Sequence, residues 1–175
     1  MTTPAHQQIL RPVTRAGLFA YLDALGIASR TLDHPAVHTV AESSTIELDL
    51  PGAHTKNLFL KDDRGALLLI IAKSSTRVDL KRVSKTLPAG RLSFGKPELL
   101  LETLGVTPGS VTAFAVVNDP EARVRVIIDA ELMAHDSVNC HPMENVATTN
   151  IAMADLLRFI RATGHEPHMM AVSAA

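Results

Sequence analysis

The most informative segment of the chain runs from residue 52 to residue 72. It reads Gly52-Ala-His-Thr-Lys-Asn-Leu-Phe-Leu-Lys-Asp62, then Asp63-Arg64-Gly65, then Ala66-Leu-Leu-Leu-Ile-Ile-Ala72. A short apolar run, a tight polar turn and a fully apolar run predict two buried strands of a hairpin. Strands this apolar are typical of the core of an α/β domain. Lys56, with Asn57 beside it, stands at the predicted start of the first strand. It places a cation at the rim of the core, where it can meet an anionic or carbonyl-bearing ligand.

Length and composition predict one globular domain spanning residues 1–175. Apolar residues make up 46% of the chain and charged residues 20%, which is ordinary for a globular protein. The longest apolar run, residues 66–72, is far shorter than the roughly 20 residues that a membrane helix needs. No basic, apolar and small-residue leader is evident at the N-terminus, and the single Cys140 cannot form an internal disulfide. These features predict a cytoplasmic protein without a membrane partner.

Charge is unevenly distributed although the net charge is only −1. Between residues 56 and 96 there are ten Lys and Arg but only three Asp, a local excess of +7. An excess of this size inside a neutral protein indicates a docking face for an anion, and equally fits a solvated helix that carries lysines. The segment from Asp79 to Leu87, with Lys81, Arg82 and Lys85, is the centre of this face.

Periodicity and capping residues predict alternating helices and strands. Helices are predicted over 14–26, 39–48, 79–87, 97–105 and 151–163, and strands over 29–33, 91–94, 111–117, 124–128 and 167–172, besides the hairpin and a short strand before Cys140. Thr39 with Glu42 forms a capping box, and Thr149 or Asn150 is expected to cap the last helix. Asn118-Asp119-Pro120-Glu121 predicts a hairpin turn. The pattern favours a single α/β domain with a mixed, largely antiparallel sheet surrounded by helices.

Several chemistries are disfavoured by the motifs. His34 and His38 have ligand-like spacing, but Pro35 disfavours a helix there and no thiolate cluster exists, so no metal or other cofactor is expected. Cys140 and His141 point to opposite faces of a strand, so they do not form a nucleophile and base pair. Neither a Gly-x-Ser-x-Gly nor a Gly-x-x-x-x-Gly-Lys motif occurs. What remains is Lys56, Asn57, His141 and the turn at Gly109, which fit either a binding site or an ordinary strand-end lysine and turn histidine.

Five ordered blocks resemble one protein family. They are His34-Pro-Ala-Val-His-Thr-Val-Ala-Glu42, the hairpin of residues 52–72, Arg91-Leu-Ser-Phe94, Leu104-Gly-Val-Thr-Pro-Gly-Ser-Val111 and Asn139-Cys-His-Pro-Met143, with Thr148-Thr149 after them. Together they resemble the YbaK-like editing domains associated with prolyl-tRNA synthetase, in particular the free-standing alanyl-tRNA(Pro) deacylases. Two positions depart from the family pattern. Ala113 stands where a proline is found in the synthetase-linked loop, and Cys140 where an aromatic residue is common.

The resemblance implies residue roles. It assigns catalysis to Lys56, Asn57 and His141 and substrate binding to Gly109, Ser110, His34 and Thr39, with the loop from Gly109 onward holding the terminal adenosine. The local positive charge, and not the resemblance, predicts tRNA binding by Lys81, Arg82 and Lys85. The cation would hold a phosphate or the ribose, backbone amides near Gly109 would bind the carbonyl or a water, and the ribose hydroxyl would assist hydrolysis. Asn57 is unlike the cysteine-editing branch, in which a threonine follows the lysine.

The implied activity is removal of alanine from mischarged proline tRNA. A missing apolar contact discriminates by only about 1–3 kcal/mol, so a synthetase for proline cannot fully reject alanine. A second pocket that excludes proline by steric clash, walled by residues 66–72 and 111–117, would remove the error. Deacylation of a cysteine or serine ester and non-catalytic sensing of aminoacyl-tRNA are the alternatives. The partners implied are aminoacyl-tRNA and, as an open question, prolyl-tRNA synthetase itself, with no DNA.

Overall fold

The computed structural model describes residues 11–36 and 50–174. The predicted helix over 39–48, with Thr39 at its start, and His38 therefore lie outside the described residues. The elements that follow are those of the described ranges.

The described chain contains four α-helices and eight strands. The helices are α1 Arg15–Ala24, α2 Leu80–Thr86, α3 Pro97–Leu104 and α4 Met153–Ala162. The strands are β1 Ser29–Asp33, β2 Ala53–Asp62, β3 Leu67–Lys73, β4 Leu92–Phe94, β5 Val124–Asp129, β6 Ser137–Cys140, β7 Ala147–Ala152 and β8 His168–Met170. Two 3₁₀ helices, Ala113–Asn118 and Ala130–Ala134, flank β5.

The strands form one mixed sheet in the order β1-β7-β6-β2-β3-β5-β8, and β4 also pairs with β2. Antiparallel pairings are β1–β7, β6–β7, β2–β3 and β2–β4. Parallel pairings are β2–β6, β3–β5 and β5–β8. The predicted α/β fold around a mixed, largely antiparallel sheet is confirmed.

The hairpin at residues 52–72 is the centre of the sheet because its apolar side chains supply both faces. On one face Phe59, Leu69 and Ile71 pack with α1, α3 and α4 in the larger core. On the other face Leu60 and Ile70 pack with α2 in a smaller core. Successive side chains of a strand point to opposite faces, so β2 and β3 separate the two cores.

Local signals set most of the helix ends. Thr14 Oγ1 accepts a hydrogen bond from the Gly17 amide, and Asp79 accepts from two amides at the start of α2. Gly105 ends α3 with φ of 67°, in the left-handed region that glycine adopts without strain.

The predicted hairpin across Asn118–Glu121 is wrong, because residues 113–118 form a 3₁₀ helix and not a strand. All five residues from Ala113 to Val117 are buried. A run without polar alternation predicts burial but does not separate a strand from a helical turn. Thr112 caps the segment by accepting from the Phe114 amide, and α3 and α4 enclose it.

The predicted start of the last helix is also wrong. Thr149 and Asn150 lie inside β7, and α4 begins at Met153 without a side-chain cap. The burial of β7 alternates, with Ala147, Thr149 and Ile151 buried and Thr148 and Asn150 half-buried. That period of two belongs to a strand, and it overrides the capping preference of the polar residues.

Within the described ranges, no helix is both long enough and apolar enough to cross a membrane.

Candidate active site

The strand β2 passes through a gap in the sheet. On the side of β2 away from β3, β6 pairs only with Ala53 and His54, and β4 pairs only with residues 60–62. Within the described residues no strand pairs with the stretch between them. We call Lys56, Asn57 and Leu58 the β2 gap. It lies between the end of β6, where His141 follows, and the end of β4 at Phe94.

The backbone of Asn57 is directed into this gap. His54 accepts from the Ser74 amide and Asp62 donates to Ala66, so the even-numbered residues of β2 use their backbone groups toward β3. The backbone groups of the odd-numbered residues point away from β3. The Phe59 carbonyl, for example, accepts a hydrogen bond from the Gly95 amide. Asn57 has the same parity as Phe59. Its N–H and C=O therefore face the gap and can bind a ligand there.

Lys56 and Asn57 leave β2 on opposite faces. Lys56 lies opposite Ala72 of the smaller core, whereas Asn57 lies opposite Ile71 of the larger core. Lys56 is the fourth residue of a ten-residue strand, so the expectation that it stands at the strand's start is corrected. The apolar run in the sequence predicts the second half of β2, whereas the polar first half of the strand carries no such signal.

Both side chains carry unsatisfied polar groups within the described ranges. Lys56 is half-buried and makes no hydrogen bond or ion pair with any described residue. Asn57 Oδ1 is buried and has no hydrogen-bond partner among them. A buried polar atom without a partner costs roughly 1–3 kcal/mol, so such groups mark positions that a ligand can satisfy.

A cluster of two histidines and a threonine borders the gap. His34 Nδ1 lies 2.8 Å from the Pro35 carbonyl, and its Nε2 lies 2.8 Å from Thr148 Oγ1. The His34 and His141 rings are 6.4 Å apart between centroids. The His34 amide also donates to the Val146 carbonyl, which ties this cluster to the loop between β6 and β7.

His141 is held as a neutral imidazole. Burial lowers its pKa below the usual 6.5; the hydrogen bond to the Ala147 carbonyl partly opposes this shift, and the nearby His34 adds a smaller lowering effect. Its Nδ1 lies 3.1 Å from that carbonyl and must donate to it, because a carbonyl only accepts. The neutral ring then keeps a lone pair on Nε2, which can accept a hydrogen bond from a hydroxyl or water.

The glycine turn lies beside the same loop. Ser110 donates its amide to the Thr107 carbonyl, and Gly109 has φ of 90°, as the third residue of a type II turn requires. A Cβ built on Gly109 would lie 3.9 Å from Asn145 Nδ2, so the turn approaches the β6–β7 loop that His141 begins. Ser110 is buried, whereas Gly109 is exposed and presents its backbone.

Cys140 is not a nucleophile. It is 2% exposed, and burial raises the pKa of its thiol to about 11. A thiol with that pKa stays protonated near neutral pH and is inert. Thr55 Oγ1 lies 3.6 Å from its Sγ and 2.7 Å from the Asn139 carbonyl, which fixes β2 against β6. Within the described ranges, no group of three His, Cys, Asp or Glu side chains is arranged to hold a metal ion.

The helix α2 carries the three predicted tRNA-binding cations, but they differ in role. Lys81 and Lys85 are exposed, on the side of the sheet that Lys56 faces. Arg82 is half-buried, and its Nη1 donates to the Ser173 carbonyl at 2.6 Å. Arg82 thus holds the C-terminal segment against α2, a contact that spacing along the sequence does not show.

Sequence reasoning missed three features of this region. Thr148 has no signal of its own in the sequence beyond its place after the family blocks, yet its hydroxyl contacts His34. Asn145 reaches the glycine turn, although nothing in a six-residue loop marks it. The open backbone at Asn57 follows from which strands pair with β2, and such non-local pairing has no signal in a single sequence.

Comparisons with known proteins identify the family of the chain. The family model described as the aminoacyl-tRNA editing domain matches residues 34–159. The chain belongs to the aminoacyl-tRNA editing domain family, and the resemblance seen in the sequence is confirmed.

Two curated relatives and one solved structure show where the chain lies in this family. A Danio rerio protein, prolyl-tRNA synthetase associated domain-containing protein 1, is 39% identical over 87% of this chain and 84% of its own. The prolyl-tRNA editing protein ProX of Acetoanaerobium sticklandii is 32% identical over 86% of this chain and 93% of its own. A crystal structure described as a candidate trans-editing enzyme for prolyl tRNA synthetase has a TM-score of 0.73 at 20% identity, covering 95% of this chain and 99% of its own. This last likeness supports the fold.

Proposed function

We propose that this protein is a trans-editing hydrolase that removes alanine from mischarged proline tRNA and spares prolyl-tRNA. The β2 gap carries the proposal. Three groups border this opening in the sheet. They are the Lys56 ammonium, which has no partner among the described residues, the open backbone amide of Asn57 and the neutral His141. The name of the ProX relative, a prolyl-tRNA editing protein, supports proline tRNA as the carrier.

Lys56 is proposed to hold the acceptor end of the tRNA. Its ammonium is a compact charge on a flexible stem, which suits a phosphate or ribose oxygen. Among the described residues it has no carboxylate to neutralise it, so binding an anion does not require breaking an ion pair. A tRNA end fixed in this way places the ester over the gap.

The Asn57 amide is proposed to stabilise the oxyanion that forms on the ester carbonyl. Its N–H faces the gap by the parity of β2 and is held rigidly by the pairing of Asn57 with Ile71. A backbone donor that is already in place costs no reorganisation as negative charge develops, and one such donor is worth roughly 10²- to 10³-fold in rate.

The site has no strong base, which suits an activated ester. Cys140 is protonated, and the Nδ1 of His141 is occupied by the Ala147 carbonyl, which leaves Nε2 as an acceptor. We assign His141 to orienting a ribose hydroxyl or water, and the water is then activated mainly by the substrate's own hydroxyl. Positioning of this kind supplies much of the rate for a reactive ester.

Selection between alanine and proline is proposed to be steric. Lys56 and the Asn57 amide bind groups that every aminoacyl-tRNA shares, so the choice depends on close-packed apolar walls. β3 and the 3₁₀ helix Ala113–Asn118 supply rigid, buried side chains for such walls. A dense wall excludes a larger ring more strongly than a missing contact rejects a smaller group.

The test is deacylation of proline tRNA charged with alanine, proline, serine or cysteine. We expect rapid hydrolysis of the alanyl ester and little of the prolyl ester. Comparable rates for the alanyl and prolyl esters would contradict steric exclusion of proline from the pocket. Rapid hydrolysis of only the cysteinyl or seryl ester would identify the alternative deacylase, and binding of all four without hydrolysis would identify a sensing module.

A further inference from the structure

The exposed Phe94 stands out because it is unlike the other aromatic residues. The chain has five Phe, one Tyr and no Trp. Phe59, Phe114 and Phe159 are buried and Phe19 and Tyr21 are half-buried, whereas Phe94 is 65% exposed. Most of this ring lies outside the core, so its face is available to contact a ligand.

The position of Phe94 relates it to the candidate active site. Phe94 lies opposite Leu60 in the antiparallel pair of β4 and β2, and residues directly opposite one another share a face. Leu60 belongs to the smaller core, and Lys56 lies four residues earlier on the same face of β2. Phe94 and Lys56 are therefore on one side of the sheet, about 13 Å apart along β2 at roughly 3.3 Å per residue.

The surroundings of the ring are positively charged. Arg91 and Lys96 flank Phe94 in the chain and both are exposed. α2 packs on this side of the sheet and adds the exposed Lys81 and Lys85. The nearest exposed acids along the chain are Glu98 and Glu102, both on α3. An aromatic face among cations is the chemistry that binds single-stranded nucleic acid, with the ring stacking on a base and the cations meeting phosphates.

We propose that Phe94 is a stacking platform for an unpaired base of the tRNA acceptor end, next to the nucleotide that carries the amino acid. This inference rests on the proposed function, because it needs an aminoacylated RNA end at Lys56. The terminal nucleotide occupies the β2 gap, and the chain then runs along β2 so that a preceding base covers the Phe94 ring. Stacking does not read sequence, which suits an end that all tRNAs share.

The first experiment measures steady-state deacylation of alanylated proline tRNA by Phe94→Ala, Phe94→Tyr and the control Leu101→Ala. We expect Phe94→Ala to raise KM roughly 5- to 100-fold with kcat nearly unchanged, because one lost stack weakens binding by that factor. Phe94→Tyr, which keeps the ring, should retain the wild-type KM. Leu101 is also an exposed apolar residue, 54% exposed, but it lies on α3, which packs against the other face of the sheet, so its loss should change neither constant.

A second experiment observes stacking directly. Because the protein has no tryptophan, Phe94→Trp introduces a single fluorophore at the site. Its emission should be quenched by a non-aminoacylated acceptor-stem RNA hairpin that ends in the unpaired CCA. The same hairpin without the CCA end should not quench it. Hairpins made abasic at each unpaired nucleotide in turn then identify the stacked base. Loss of that base should weaken binding to the wild type and have no further effect on Phe94→Ala.

The outcomes separate this inference from the proposed function. If the wild type deacylates alanyl-tRNA while Phe94→Ala keeps its KM and Phe94→Trp is not quenched, the stacking role is wrong and the activity stands. If the wild type hydrolyses none of the mischarged tRNAs but Phe94→Trp is quenched by the CCA hairpin, the activity is wrong and RNA stacking stands.

Discussion

At the scale of single residues, Lys56 is the most direct test of the candidate active site. Lys56→Ala should lower kcat/KM for alanyl-tRNA roughly 100-fold or more, because no described residue offers a second cation in the β2 gap. The fold should survive, since a half-buried lysine without a described partner contributes little packing. Lys61→Ala, which removes an exposed lysine from the same strand, is the matched control and should have a small effect. A folded Lys56→Ala protein with wild-type turnover would show that Lys56 is an ordinary strand lysine.

His141 provides a prediction for pH. Its pKa is lowered in the folded protein, whereas in the unfolded chain it is about 6.5. Between those two values the unfolded chain binds more protons, so stability should fall as pH drops through about 6.5 and level off below the folded pKa. Thermal melts at several pH values should show a smaller acid-side loss for His141→Gln than for the wild type. His168→Gln removes an exposed histidine and should leave the acid-side loss unchanged. An equal loss in His141→Gln and the wild type would contradict the neutral, buried imidazole.

At the scale of elements, the turn before β2 positions the gap. Gly52 has φ of 84°, and a Cβ there would lie 2.4 Å from the Ser137 carbonyl oxygen. Pro51 is held from the other side, because its carbonyl accepts from the side-chain amides of Asn139 and Asn150. These contacts fix where β2 meets β6, and so they fix the position of Lys56 and Asn57.

Gly52→Ala should therefore lower the free energy of unfolding. Backbone strain at the positive φ costs roughly 1–3 kcal/mol, and the clash of the new Cβ with Ser137 of β6 adds to this cost. Gly65→Ala is a matched control, because Gly65 also has a positive φ, of 89°, but nothing lies within 4 Å of its built Cβ. Urea unfolding should show a clearly larger loss for Gly52→Ala than for Gly65→Ala. Equal losses would mean that backbone strain alone acts at both turns and that the contact with Ser137 is unimportant.

Some of these elements can be predicted from local sequence signals and others cannot. The hairpin, α1, α2 and α3 follow from local signals, such as the Thr14 and Asp79 caps and glycines with positive φ. The 3₁₀ helix at Ala113–Asn118 could not be predicted, since complete burial removes the polar alternation that identifies a strand. Residue chemistry selects Lys56, His141 and Gly109 as candidates, and only the family resemblance favours a binding site over an ordinary structural role. Their arrangement around a gap depends on where β6 and β4 stop pairing with β2, which is set by contacts across the whole chain.

At the scale of the whole molecule, the sheet separates two kinds of surface. The side that carries Lys56, Phe94 and α2 contains much of the positive excess of residues 56–96, although the net charge is only −1. A local positive field attracts a polyanion without making the protein a general polycation. We expect tRNA to approach from this side.

The salt dependence of tRNA binding tests that orientation. Arg82 is unsuitable for the test, because its contact with Ser173 makes it structural. The double variant Lys81→Gln with Lys85→Gln should raise KM for tRNA, leave kcat unchanged and lower the slope of log KM against log salt by about 1.4–1.8, since each phosphate contact contributes roughly 0.7–0.9. The control is Arg158→Gln with Arg161→Gln, which removes two exposed cations from α4 on the opposite face of the sheet and should keep the wild-type slope. An unchanged slope in the Lys81 and Lys85 variant would mean that α2 is a solvated surface and that tRNA reaches the β2 gap from another direction.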